Sequence, residues 1–253
     1  MPSTITALFS MRALGFLLSL CVAASIVVHF HDRFWWPPDD GAYAYVANRL
    51  LEGDVLNGDV QDVHAGYANF VNAAALWLFG TDLVSLRYPL AFLTVVQAGI
   101  VYLLLLPRGV IPALVGAGAL SSLSFVQFLN PTANWYALFF FLVVVAVLTW
   151  YPRETRGRVE IIGFLLALLF LFRQLSGVIL AVGVVTWLLM ESRTDGNRCR
   201  MARSLLLVMA IGLAVYMWGK WSAIGFLVYG LWPLALLFRA WTTVGIDDRT
   251  TLT

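Results

Sequence analysis

The sequence is poor in charge. Charged residues fill 12% of its 253 positions and hydrophobic residues 61%, with a mean hydropathy of +0.84. Soluble domains carry about 25% charged and about 45–50% apolar residues, so the shortage excludes a water-soluble fold. Lysine is nearly absent. Lys220 stands alone, and the other basic residues are arginines scattered through the polar breaks. With a net charge of +2, no continuous basic face is offered to nucleic acid. Cysteine is scarce too: Cys21 lies inside the first apolar run and Cys199 in an Arg-rich loop, which indicates neither a disulfide framework nor a zinc site. Internal repeats and low-complexity segments are also missing.

Long apolar runs are abundant. They cover residues 13–30, 83–106, 109–129, 135–151, 159–172, 175–190, 204–219 and 222–238, separated by charged or Pro/Gly breaks. A helix crossing a bilayer needs about 20 residues. The expected fold is therefore all-α: a polytopic transmembrane helical protein, one transmembrane domain over residues 1–253, with about eight membrane helices. The first run follows Arg12 and outlasts the roughly 7–15 apolar residues of a signal peptide. Its small cluster Ala23-Ala24-Ser25 lies within the run, so a retained first helix is expected.

Arginine placement orients the chain, because basic residues near short loops mark the cytoplasmic side. If the first helix leaves the cytoplasm, Arg12, Arg108, Arg153, Arg156, Arg158, Arg193, Arg198, Arg200 and Arg203 all fall inside. The opposite face receives the loop 31–82, which carries Asp32, Asp39, Asp40, Glu52, Asp54, Asp59, Asp62 and Asp82. The same rule divides residues 159–190 into two short helices turning at Arg173-Gln174-Leu175-Ser176-Gly177. A single helix would put the Arg-rich loops on opposite sides. The first of the two is about 14 residues, roughly 21 Å, shorter than the roughly 30 Å hydrocarbon core. Arg173 is then recessed below the outer surface, facing protein or water, and Lys220 sits similarly.

The long outer loop has helical periodicity of its own. After Pro37-Pro38-Asp39-Asp40, apolar Tyr43, Val46, Ala47, Leu50 and Leu51 share one face, while Asn48, Arg49 and Glu52 fall opposite and Gly53 ends the pattern. An amphipathic helix on the membrane interface is expected here. A second helical stretch runs from Tyr67 to Phe79 and ends at Gly80.

The acidic pair Asp39-Asp40 is the main candidate for chemistry. Helix capping accounts for one carboxylate and does not need two. Two further accounts stand beside it: a pair at a membrane cavity rim deprotonates a hydroxyl or amine acceptor, or it binds a divalent cation through oxygen ligands. His64 lies near Asp62 in the same loop, where a lone histidine serves packing more often than catalysis. Arg173 and Lys220 either snorkel to the interface or receive a lipid-linked phosphate. Asn130, Asn134 and Trp135 form a short outer turn without an acid, and Phe34-Trp35-Trp36, Trp77, Trp218 and Trp221 read as interfacial anchors.

These motifs carry a family resemblance. Pro38-Asp39-Asp40-Gly41-Ala42-Tyr43, followed by Ala47-Asn48-Arg49-Leu50-Leu51-Glu52-Gly53-Asp54, resembles the first outer loop of polyprenyl-phosphate-sugar-dependent glycosyltransferases of the GT-C fold. Within these it is similar to the protein mannosyltransferase and aminoarabinose transferase group. Leu78-Phe79-Gly80-Thr81-Asp82 with Leu86-Arg87-Tyr88-Pro89 resembles that group's entry into its next helix, and Phe172-Arg173-Gln174 its basic-Gln turn. The resemblance spans roughly residues 13–190, and its first motif is the specific one.

The resemblance implies Asp39 as catalytic base with Asp40 beside it, and His64, Arg173, Gln174 and Lys220 as substrate-binding residues. It implies a polyprenyl-phosphate-linked sugar as donor, a glycan, lipid or protein as acceptor, and a site on the non-cytoplasmic face of a prokaryotic plasma (inner) membrane. Two departures stand out. His64-Ala65-Gly66-Tyr67 replaces a Lys-Pro-Pro segment, and Asn130 to Trp135 lacks an acid that some members carry in the second outer loop. Family members commonly continue with further helices, whereas this sequence ends soon after Asp247-Asp248-Arg249; a minimal enzyme, a truncated product and one part of a split protein are the alternatives. A transporter is the rival from another class, but its signature is repeated halves and acids inside spans. A non-catalytic fragment or assembly partner is the third reading.

Overall fold

The computed structural model describes residues 4–35, 37–62, 65–125, 129–152, 155 and 157–191, together with positions 207, 211, 235 and 238. His64 and Lys220, and the two runs 204–219 and 222–238 apart from those isolated positions, therefore lie outside the described residues. The chain divides into two units, Met1–Gly177 and Val178–Thr253. The packing below belongs to the first unit; the second is described mainly through the helical stretch 178–191.

All regular structure among the described residues is helical, apart from one isolated bridge between Leu56 and Val60. The elements are α1 (Thr4–Phe30), α2 (Pro37–Leu51), α3 (Ala68–Phe79), α4 (Arg87–Leu105), α5 (Val110–Leu120), α6 (Ala133–Trp150), α7 (Arg158–Phe172) and α8 (Gln174–Glu191). Among the described residues, three segments are long and apolar enough to cross a membrane: Met11–Phe30, Leu83–Arg108 and Ala133–Trp150. The other described runs form shorter helices, Val110–Phe125 and Gln174–Leu188 among them.

Side-chain size explains how the spans meet. Ala23, Ala98, Ala113 and Ala117 pack with Tyr102 where α1, α4 and α5 converge. Small residues let membrane helices approach closely, where dispersion rather than water exclusion holds them. Two polar groups fasten the arrangement. The Tyr102 hydroxyl donates to the Arg12 carbonyl at 2.9 Å, and the buried Gln97 amide donates to the Trp135 carbonyl at 3.1 Å, joining α4 to α6. At its C-terminal end α5 widens into a π turn, Ser121–Phe125. Ser121 and Ser122 there donate to the carbonyls of Ala117 and Gly118 at 2.9 and 2.8 Å, side-chain bonds that compete with regular backbone pairing.

The connection between α1 and α4 forms the two helices that its periodicity predicts. Prolines suit the first turn of α2, whose N–H groups have no intrahelical partner, and its acids suit the positive helix end. Ala47, with Ala44 and Leu50 beside it, packs against Ala73 and Leu76 of α3 and Leu86 of the short 3-10 turn before α4. Gly53 and Gly80 follow the two helices with φ of 102° and 101°, a region that glycine enters without steric cost. Between the helices Asn57 clamps the loop: its amide donates to the Ala65 carbonyl at 3.2 Å, and its side-chain oxygen accepts from Asp62 N at 3.4 Å.

Residues 159–190 form two helices, as the arginine pattern requires. Arg173 interrupts them with extended dihedrals, φ −151° and ψ 99°. The chain folds back so tightly there that a Cβ on Gly177 would lie 2.7 Å from Phe170 Cα and 2.9 Å from Phe170 N. Only a residue without a side chain permits that approach.

Candidate active site at the start of α2

The two carboxylates of the acidic pair have different partners. Successive helix residues project about 100° apart, so neighbours in sequence need not share a site. Asp40 points into the protein and meets Arg87 at the start of α4, at 3.4 Å, with side chains 2% and 0% exposed. Arg87 does more than neutralise it. Its Nη1 donates to the carbonyls of His31 and Arg33 at 3.1 and 2.5 Å, its Nη2 to that of Phe34 at 3.4 Å, and its guanidinium lies 3.6 Å from the Trp35 ring centre. One planar cation thus gathers the α1–α2 connection and the first turn of α2. Phe34, at φ 53°, is held there in a conformation that bulky side chains rarely adopt.

Asp39 is half-buried and turns to the connection before α6, where Asn130 Nδ2 donates to its Oδ2 at 2.7 Å. That connection is pinned from two sides. Thr132 N donates to the Asn130 carbonyl at 2.8 Å, and the buried Asn72 amide of α3 donates to the Pro131 carbonyl at 3.3 Å.

Tyr43 lies one helical turn after Asp39, on the same face of α2. Burial, then the negative charges of Asp62 and Asp39, push its phenol above the ordinary tyrosine value, while the Arg173 guanidinium pulls it back. The phenol therefore senses both carboxylates and the cation. Asp62 accepts from Asn69 of α3 at 2.5 Å. Arg173 reaches this site because the preceding Phe172 packs on Tyr136 and Phe140 of α6, with ring centres 4.7 and 5.4 Å apart.

The structure thus groups Asp39, Tyr43, Asp62, Asn130 and Arg173 around the start of α2, with Asp40 behind them as an anchor. Gln174 follows Arg173 as the half-buried first residue of α8. Sequence reasoning missed Asn130, Asp62 and the hub role of Arg87. Arg87 was visible within the Leu86-Arg87-Tyr88-Pro89 motif; the Asn130 contact joins positions 91 residues apart and has no local signal. Among the described residues, no group of three or more His, Cys, Asp or Glu is placed to hold a metal ion. Asp39 and Asp40, with separate partners, do not by themselves assemble the oxygen set a divalent cation takes.

No family model, curated protein or solved structure matches the chain.

Proposed function

We propose that the chain is a membrane glycosyltransferase that moves a sugar from a polyprenyl-phosphate donor to an acceptor on the non-cytoplasmic face. The observation carrying this reading is the half-buried Asp39 carboxylate, held by Asn130 at 2.7 Å at one end of apolar helices. In the full reading, about eight spans surround that end. Their apolar exterior lets the donor lipid stay in the bilayer while its head group enters the site.

Asp39 acts as general base. Its carboxylate takes the proton of the acceptor hydroxyl as that oxygen bonds to the anomeric carbon. The bond from that carbon to the phosphate oxygen breaks on the opposite side, and its electron pair leaves with the phosphate, so the anomeric centre inverts. Arg173 meets the charge that develops on the leaving phosphate, where a preorganised cation acts most strongly. Lys220 and His64 complete the substrate-binding set. Asp40 serves through Arg87, holding the turn that carries the base.

The test is incubation of membranes with a labelled polyprenyl-phosphate sugar, with wild type and Asp39→Asn at equal expression. Transfer by wild type alone supports the reading, and equal transfer by both sinks it. Counterflow of a small solute in proteoliposomes without sugar transfer would establish a transporter instead.

A further inference from the structure

The hydrogen bond from Asn130 to Asp39 links the connection before α6 to the first turn of α2, at 2.7 Å. Nothing in the local folding of either segment requires it. Asp39 already suits the positive end of its helix, and the Asn130 backbone is fixed by Thr132 while Asn72 secures the adjoining Pro131. We infer that Asn130 is the positioning residue of Asp39: its amide orients the carboxylate through a donor that carries no titratable proton. Asn72, buried in α3, keeps that amide in register. The inference rests on the reading of Asp39 as base.

The choice of an amide has a chemical consequence. A carboxyl group at 130 would match Asn130 in shape and reach the same oxygen. Two carboxylates at hydrogen-bond distance share one proton, and one of them then titrates well above its usual range. The other charged and titratable groups nearby are common to both forms: Tyr43 and the Arg87-paired Asp40 on α2, Asp62 from the loop, and Arg173 after α7. Replacing the amide by a carboxyl therefore isolates the contact itself.

The experiment compares full-length wild type, Asn130→Asp and Asn134→Asp. The last adds the same charge at an exposed position four residues further on, in the first turn of α6. The acid limb of the pH–rate profile for sugar transfer moves up by about one pH unit or more in Asn130→Asp and stays in place in Asn134→Asp. A shift in both variants, or in neither, overturns the inference. If Asn130→Asp does not fold, Asn130→Ala decides: about a tenfold or greater loss in kcat with KM for the acceptor unchanged supports positioning, and an unchanged kcat overturns it.

A substrate-free readout separates this inference from the reading beneath it. Infrared titration of Asn130→Asp, minus the same variant carrying Asp39→Asn, shows a carboxyl band that titrates above the usual carboxylate range. A wild-type chain that transfers no sugar sinks Asp39 as base whatever the band shows. Wild-type transfer with neither limb shift nor band overturns Asn130 alone.

Discussion

At the scale of single residues, the molecule separates two carboxylates that adjoin in sequence. Asp40 is an interior ion-pair partner, and Asp39 is half-buried beside Asn130. Breaking a buried pair leaves a charge without its counterion, at a cost of about 3–5 kcal/mol. Arg87→Ala is therefore expected to lower stability by about that amount, read as a large drop in the thermal midpoint in detergent. Arg87→Lys is not expected to restore it, because an ammonium cannot match a planar fork directed at three carbonyls and a carboxylate. A midpoint equal to wild type in either variant would remove Arg87 as the hub.

Tyr43 reports on the site without any substrate. Its phenol is raised above the ordinary tyrosine value, so between the unfolded and folded values the native chain holds a proton that the unfolded chain has lost. Stability then falls as pH rises above about 10, and Tyr43→Phe removes that part of the alkaline loss. Because Arg173 lowers the Tyr43 value, Arg173→Gln moves phenolate formation at Tyr43 to higher pH. Ultraviolet titration of each protein minus its Tyr43→Phe counterpart measures this. No movement would place Arg173 outside the cluster.

At the scale of elements, the helices were legible where apolar runs have clear ends. Runs 83–106 and 135–151 correspond to Leu83–Arg108 and Ala133–Trp150. The first run, 13–30, corresponds to Met11–Phe30, and its helix continues through Arg12 to Thr4, since one charged side chain does not break backbone pairing. The helix expected after Asp40 starts at Pro37, because proline's missing N–H has no role in a first turn. The helix break at Arg173 followed from arginine placement alone. Its tightness did not, since the approach of Gly177 to Phe170 is a tertiary contact. Gly177→Ala puts a Cβ against that backbone, where no rotamer change relieves it. It is expected to destabilise the chain by about 1–3 kcal/mol, and an unchanged thermal midpoint would contradict the packed reversal.

At the scale of the whole molecule, composition determined the class and left the site to long-range folding. A charge content of 12% with long apolar runs pointed to membrane helices. The acidic loop and the arginine asymmetry pointed to one end of those helices. Which acid would be the proposed base was open in the residues themselves, since Asp39 and Asp40 differ in what faces them across distances of 91 and 47 positions. The resemblance to lipid-phosphate-dependent glycosyltransferases named Asp39, and the Arg87 pair explains why its neighbour is held elsewhere.

The most direct test uses the purified full chain in lipid nanodiscs. The rate of sugar release from a labelled polyprenyl-phosphate donor to an acceptor is compared between wild type and Asp39→Asn, at equal folded amount. Loss of a general base predicts a fall of about 10²–10⁴-fold with donor binding retained; equal rates would contradict the account.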